Sequence, residues 1–271
     1  MPAITRPGRL IDKIAVVTGS SSGNGRAIAL ALAAEGATVV CTDVSKSARV
    51  EGFEADRAID TDDVIVGNGG RAVFLAVDVT RSEQVEAAAD LALERYGRLD
   101  IWVNNAGIGI GFGEIASQSQ ADLEQILQVN LIGTWLGCRA AISRMRKQEI
   151  VGRCRGRIVN VGSIAGMAGQ PMLTLYSATK GAVHAITRQL AVEVAPHGIN
   201  VNAIAPGYIP TAMTRAFWDD PESLSHVKSF HPWFELARQE DVAGPVVFLA
   251  SDEAAFITGE VLVIDGGVLA G

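Results

Sequence analysis

The sequence predicts an α/β protein, a doubly wound parallel sheet of about seven strands with helices on both faces, folded as a single domain. Three observations carry that prediction. Short apolar runs alternate with longer stretches of helical character along the whole chain. A glycine- and serine-rich turn joins the first run to the first helix. Polar or turn-forming residues stand at or just beyond the carboxyl ends of successive runs: Gly19, Asp43, Asp78, Asn104, Ser163 and Gly207. In such sheets ligands bind along that rim, so the six positions imply one site.

In chain order, residues 14–17 are a buried-strand run ending in Thr18-Gly19, and the turn 19–25 leads into an alanine-rich helix, 26–34, closed by Gly36. A second strand, 38–42, ends at Asp43. Between Asp43 and Arg71 the pattern is weak. A helix is expected at 50–58, with Asp60-Thr61-Asp62-Asp63 and Gly67-Asn68-Gly69-Gly70 as breakers. Strand 72–77 ends at Asp78, and Ser82 is expected to cap a helix reaching about Tyr96. Strand 99–103 runs into Asn104-Asn105-Ala106-Gly107, and one long helix is expected over 120–147. Strand 157–161, helix 176–195, strand 199–204, helix 239–250 and strand 261–264 complete the series. No repeat, low-complexity tract or linker divides it, so the domain is taken as 1–271, with a core of about 12–267.

The composition narrows the function classes. Of 271 residues 48% are hydrophobic and 20% charged, and the net charge is −7, which argues against a mainly electrostatic nucleic-acid or membrane binder. The basic run from Arg139 to Arg157 lacks interleaved aromatics and is expected to be a solvated helix end and loop. Three widely spaced cysteines (Cys41, Cys138 and Cys154) indicate neither a disulfide framework nor a metal site. No apolar leader or membrane span is visible, and a cytoplasmic location is expected.

Chemistry begins at the glycine turn. Its spacing, Gly19-x-x-x-Gly23-x-Gly25, lets the backbone turn tightly and approach a pyrophosphate at the helix N-terminus. The same residues fit a Gly-x-Ser-x-Gly nucleophile elbow, but none of the four histidines plainly follows a strand, so the hydrolase reading lacks a partner. Asp43 lies where a carboxylate meets an adenosine ribose. With no Arg or Lys at Ser22 or Val44 to offset its repulsion of a 2′-phosphate, NAD is favoured over NADP. Tyr176 and Lys180 stand four apart, on one helix face. An ammonium about 5 Å from a phenol is expected to lower its pKa by about two units, into the range of a working acid/base.

Taken together, Thr18-Gly19-Ser20-Ser21-Ser22-Gly23-Asn24-Gly25, Asp78, Asn104-Asn105-Ala106-Gly107, Asn130, Ser163, Tyr176-x-x-x-Lys180 and Pro206-Gly207 resemble the short-chain dehydrogenase/reductase family over about 12–267. The resemblance implies a Rossmann-type fold and hydride transfer between a nicotinamide and a secondary alcohol or ketone. It implies Tyr176 as general acid/base, Lys180 on the phenol and the nicotinamide ribose, Ser163 on the substrate oxygen, and Asn130 holding a relay water. For the cofactor it implies pyrophosphate at Gly19, Ser21, Ser22, Gly23, Asn24 and Gly25. Adenosine would meet Asp43, Asp78 and Val79, and the cleft wall would be Asn105, Ala106 and Gly107. Pro206, Gly207, Ile209 and Thr211 would lie at the nicotinamide. A homotetramer is also implied, and the apolar helices near 126–136 and 176–195 fit a partner subunit.

Two features depart from the family pattern: Asn24 at a usually aliphatic position, and a longer segment between Asp43 and Asp78. The variable loop, about 207–238, carries Phe217, Trp218, Phe230, Trp233 and Phe234. It reads as a lid over an apolar or ring-bearing substrate, or equally as core or subunit packing. Met167, Leu173 and Tyr208 are further pocket candidates, and His184 reads as a packing or interface residue. A sugar or polyol ranks second as substrate. A catalytically silent binding protein is the competing class, and the intact Ser163, Tyr176, Lys180 and Asn130 speak against it.

Overall fold

The computed structural model describes residues 8–271; the expectations about the first seven residues lie outside the described residues. Seven strands form one parallel sheet: β1 (Ile14–Thr18), β2 (Thr38–Asp43), β3 (Arg71–Ala76), β4 (Ile101–Asn104), β5 (Gly156–Val161), β6 (Ile199–Pro206) and β7 (Val261–Ile264). Their order is β3-β2-β1-β4-β5-β6-β7, so the chain reverses its direction of travel between β1 and β4. That switch point opens a crevice at the carboxyl ends of the two strands.

Strand alternation divides the core into two layers. Val17, Val39, Val103 and Val159 face α1 (Gly23–Ala34) and α9 (Gln239–Ala250). Their neighbours Val16, Val40, Trp102 and Ile158 face the opposite side, against α3 (Ser82–Tyr96), α5 (Gly133–Met145) and α6 (Thr174–Val194). Ile28 and Leu32 of α1 are fully buried, and such side chains contribute roughly 1.5–3 kcal/mol each.

Four expectations about elements need correction. Residues 50–58 are not helical; the helix of this region is α2 (Thr61–Gly67), within the stretch taken as a breaker. Asp60 stands extended at its N-cap, Asp62 and Asp63 suit the positive helix end, and Ile65 is buried. Ser82 opens α3 instead of capping it, and its hydroxyl accepts from Arg139 Nη2 at 2.7 Å. The long helix is broken into α4 (Gln120–Ile126), a π-helical turn at Leu127–Ile132, and α5. The variable loop holds two helices, α7 (Arg215–Asp219) and α8 (Pro221–Ser229).

The basic run is paired at its main points: Arg139 with Glu86 at 3.1 Å, Arg144 with Asp90 at 2.7 Å and Arg157 with Asp252 at 2.6 Å. Among the described residues no helix is long and apolar enough to cross a membrane, and no His, Cys, Asp or Glu cluster could hold a metal. All three cysteines are free and buried, and burial pushes the Cys41 and Cys138 thiols up to about 12.

Candidate active site

The crevice between β1 and β4 is a cleft of about 370 Å³ that runs from Asp43 at one end to Ser163, Tyr176 and Lys180 at the other. Its middle is the glycine turn. Gly19 and Gly23 have φ of +64° and +58°, the left-handed region that favours glycine. A Cβ on Gly19 would lie 2.8 Å from the Ala106 backbone, and one on Gly25 would collide with the Gly19 carbonyl. Asn105 ties the turn to β4: its Nδ2 donates to the carbonyls of Thr18 and Gly19 at 2.9 and 3.0 Å. Thr18 Oγ1 accepts from the amides of Asn105 and Ala106, both at 3.0 Å.

Ser22 holds the N-cap position of α1 without a side-chain cap bond, and the Asn24 side-chain oxygen is buried without a partner. A tight glycine cradle and a helix N-terminus, both of which present backbone N–H donors, fit a dinucleotide diphosphate. Ser21 departs from its expected role. It is buried, its hydroxyl donates to the Ser45 carbonyl at 2.6 Å, and it does not line the cleft.

At the adenosine end Asp43 is braced by the amides of Ser21 at 3.1 Å and Val44 at 2.8 Å. A carboxylate has about four acceptor positions, so both oxygens can still take a ribose hydroxyl. Asp78 Oδ1 accepts from the Thr80 amide and hydroxyl at 2.9 and 2.7 Å, so it closes the turn into α3 while lining the cleft beside Val79. Arg49 also lines this end; the sequence reading sought a cation only at positions 22 and 44 and missed it.

The catalytic candidates converge. Lys180, 5% exposed, donates from Nζ to the Val161 carbonyl at 2.8 Å and lies 5.7 Å from the Tyr176 ring centroid. Ser163 Oγ accepts from the Ala165 amide at 3.1 Å, which leaves its own hydrogen to donate towards Tyr176 at the cleft end. Asn130, in the π-helical turn, clamps Ile108 by both backbone groups, accepting from its amide at 2.8 Å and donating to its carbonyl at 2.9 Å. Its amide also donates to Thr179 Oγ1 at 3.2 Å. Both ends of the side chain are therefore engaged. Its own backbone carbonyl accepts from Thr134 Oγ1 at 2.8 Å.

The electrostatics correct one expectation. Burial pushes the Tyr176 phenol above its ordinary value, and the Ser163 hydroxyl pulls it back only in part. Burial also lowers Lys180 to about 8, so this ammonium is desolvated and weakened instead of driving the phenol down. His184 belongs to the site more closely than expected. It is 2% exposed, accepts the Ser163 amide on Nε2 at 3.4 Å, and leaves no room for a Cβ on Gly162. Burial first, then Lys180, lower its pKa to about 4, so it stands neutral under the Ser163 loop.

Pro206, Gly207, Ile209 and Thr211, the residues expected at the nicotinamide, line the cleft together with Met213. The loop aromatics do not. Tyr208 packs on Phe217 and Phe230 at centroid distances of 6.3 and 5.3 Å, and Trp218 packs edge-on against Phe53 at 6.4 Å. Trp233 and Phe234 are exposed, and Met167 and Leu173 also lie outside the cleft lining. Ile108, Ile110, Val129 and Met213 supply its apolar surface instead.

Comparison with known proteins agrees with this geometry. Residues 19–269 match the family model described as enoyl-(acyl carrier protein) reductase. A cyclopentanol dehydrogenase of Comamonas is 38% identical over 263 residues, 97% of this chain and 99% of the relative. A solved structure described as a short-chain alcohol dehydrogenase from Sinorhizobium meliloti superposes with a TM-score of 0.87 at 37% identity, covering 98% of this chain and 100% of that one. A solved structure described as an NAD(P)-dependent gluconate 5-dehydrogenase from Beutenbergia cavernae, with NADP bound at low occupancy, superposes at 0.86 with 36% identity, covering 98% of this chain and 100% of that one. With relatives this similar along nearly its full length, the chain belongs to the short-chain dehydrogenase/reductase family of oxidoreductases.

Proposed function

We propose that this oxidoreductase is NAD-dependent and moves a hydride between the nicotinamide and a secondary alcohol or its ketone, with Tyr176 as general acid/base. The observation that carries the reading is the placement of Ser163, Tyr176 and Lys180 at one end of a cleft whose other end is a glycine cradle and a braced aspartate. A bound nicotinamide supplies the hydride acceptor or donor and, when oxidised, a positive ring. In the reducing direction, the neutral phenol of Tyr176 gives its proton to the oxygen that becomes the alcohol. Ser163 donates its hydrogen to that oxygen and stabilises developing negative charge. For oxidation the proton runs the other way, and Lys180, protonated below about pH 8 and 5.7 Å from the Tyr176 ring centroid, is a cation placed to favour a phenolate. Asn130 and His184 fix the Ile108 and Ser163 backbones that flank the reacting atoms.

The apolar wall of Ile108, Ile110, Val129 and Met213 favours an apolar or ring-bearing substrate, in line with the cyclopentanol dehydrogenase relative. A sugar or polyol is the second reading, favoured by the gluconate dehydrogenase neighbour. Arg49 and that neighbour's NADP are the observations on the side of NADP, while Asp43 opposes a 2′-phosphate. We further propose a homotetramer, supported by Trp135 and Val192, which α5 and α6 leave exposed at 47% and 76%; sedimentation velocity tests it.

An absorbance screen with NAD⁺ and NADP⁺ over alicyclic, aromatic, steroid and polyol alcohols tests the substrate and cofactor together. NAD⁺-linked oxidation of a ring-bearing secondary alcohol is expected, with Asp43→Ala narrowing the preference for NAD⁺. Faster turnover of the wild type with NADP⁺ contradicts the cofactor assignment, and turnover confined to polyols contradicts the substrate assignment.

A further inference from the structure

Residues 44–60, the strap between β2 and α2, make up the stretch that the oxidoreductase reading leaves unexplained. Val44 and Arg49 line the cleft, and the remainder is held from two sides. Arg26 of α1, 1% exposed, pairs with Asp56 at 3.0 Å and donates to the carbonyls of Asp56 and Ile59 at 3.3 and 2.9 Å. On the other side Phe53 packs on Trp218, and the Arg215 guanidinium lies 4.4 Å from the Phe53 ring centroid. Arg57 Nη1 closes the strap on itself through the Gly52 carbonyl at 2.7 Å.

Between these fixed points Glu54 turns inward. Its Oε1 accepts the backbone N–H of Gly23, the first residue of α1, and its Oε2 is buried without a partner. The uncapped amides at that helix end carry partial positive charge, and a carboxylate is favourable there. The diphosphate of a dinucleotide needs the same amides. Two anions at one helix end repel, although Glu54 itself does not line the cleft, and an unpaired buried carboxylate oxygen leaves the docked arrangement poorly satisfied.

We propose that Glu54 is a built-in competitor for the diphosphate seat, a determinant of cofactor affinity that withdraws from Gly23 when the dinucleotide binds. The proposal rests on the dinucleotide reading above. Withdrawal of Glu54 moves the strap, and the Phe53–Trp218 contact carries that movement to the helices of the substrate loop. Cofactor admission and the setting of the substrate side are coupled through one short segment. A strap docked about nine-tenths of the time would weaken apparent affinity about tenfold relative to an always-open seat.

Isothermal titration of NAD⁺ into the full chain, wild type and Glu54→Gln, tests this, with thermal melts of each with and without NAD⁺. Glu54→Gln removes the charge and keeps the shape. It should tighten NAD⁺ binding about tenfold, lower the melting temperature of the ligand-free protein, and enlarge the shift on saturation. Unchanged or weaker binding by the folded variant overturns the proposal, since Glu54 then only ties the strap to α1. A second arm leaves Glu54 in place. Saturation of the wild type with NAD⁺ should change the emission of Trp218, isolated by difference against Trp218→Phe, and an unchanged contribution overturns the strap movement. A wild type that binds neither NAD⁺ nor NADP⁺ sinks the dinucleotide reading and this proposal with it. A wild type that binds normally while the Glu54 and Trp218 arms stay flat sinks the proposal alone.

Discussion

The floor of the cleft and its outer wall are built differently. On the floor three side chains are held by bonds to backbone: Asn105 to Thr18 and Gly19, Asn130 to Ile108, Lys180 to Val161. Beneath them a buried chain runs from Trp102 Nε1 to Asn104 at 2.7 Å, from Asn104 to Asn160 at 2.8 Å and on to Thr187 at 2.9 Å, joining β4, β5 and α6. The outer wall, the strap and the variable loop, adds ring-on-ring contacts and ion pairs to its backbone bonds and carries exposed aromatics, with Phe234 84% exposed. Hydride and proton transfer tolerate little misplacement, so they sit on the floor. Admission of cofactor and choice of substrate need adjustable parts, and those are left to the wall.

Substitutions can break that contrast, and the largest effects belong to the floor. Lys180→Met should lower turnover by about a hundredfold or more in steady-state assays. It should also raise the melting temperature at neutral pH. The folded state lowers Lys180 from 10.5 to about 8, so burial of its charge opposes folding below pH 8, and this penalty fades as pH rises from 8 towards 10.5. A melting temperature that falls contradicts the electrostatic account of this residue.

Next comes Gly25→Ala, whose new Cβ runs into the Gly19 carbonyl. A loss of about 1–3 kcal/mol in urea unfolding, with weaker NAD⁺ binding, is expected. Asn105→Ala removes both side-chain bonds to the turn, leaving the backbone amides on Thr18, and should cost about 1–3 kcal/mol, measured the same way. At the small end, Phe234→Ser on the wall should change stability by no more than about 0.5 kcal/mol. A larger change there, dependent on protein concentration, would point to a subunit contact.

A pH dependence separates the two regions as well. His184 is held neutral, with its pKa lowered from 6.5 to about 4. Between those values the unfolded chain binds a proton that the folded chain refuses, so stability should fall as pH drops from about 6.5 to 4. His184→Gln, with no ring to protonate, should flatten that limb in melts across the window. An unaltered limb places the acid sensitivity elsewhere.

The floor was legible in the sequence because its demands are local. Glycines for the turn, a strand-end Asp43 and the four-residue spacing of Tyr176 and Lys180 are each short-range requirements, and the structure brings them to one cleft. The electrostatics were not legible: spacing suggested an ammonium lowering a phenol, whereas desolvation pushes the half-buried Tyr176 phenol up and lowers the buried Lys180. The wall was less legible for a different reason. Its contacts, Phe53 with Trp218 and Glu54 with Gly23, join positions far apart in sequence, and no periodicity announces them. Two misses there were readable in principle. Asp60 before Asp62 and Asp63 is a helix start that was taken for a breaker, and Asp220-Pro221-Glu222 is another that passed unread.

The central claim is that the Tyr176 hydroxyl carries the proton while the floor around it stays fixed. Steady-state oxidation of the best alcohol by wild type and Tyr176→Phe, with NAD⁺ affinity measured on both, tests it most directly. A fall in turnover of about a thousandfold, with NAD⁺ binding within a fewfold of wild type, is predicted. Undiminished oxidation by Tyr176→Phe would contradict the account.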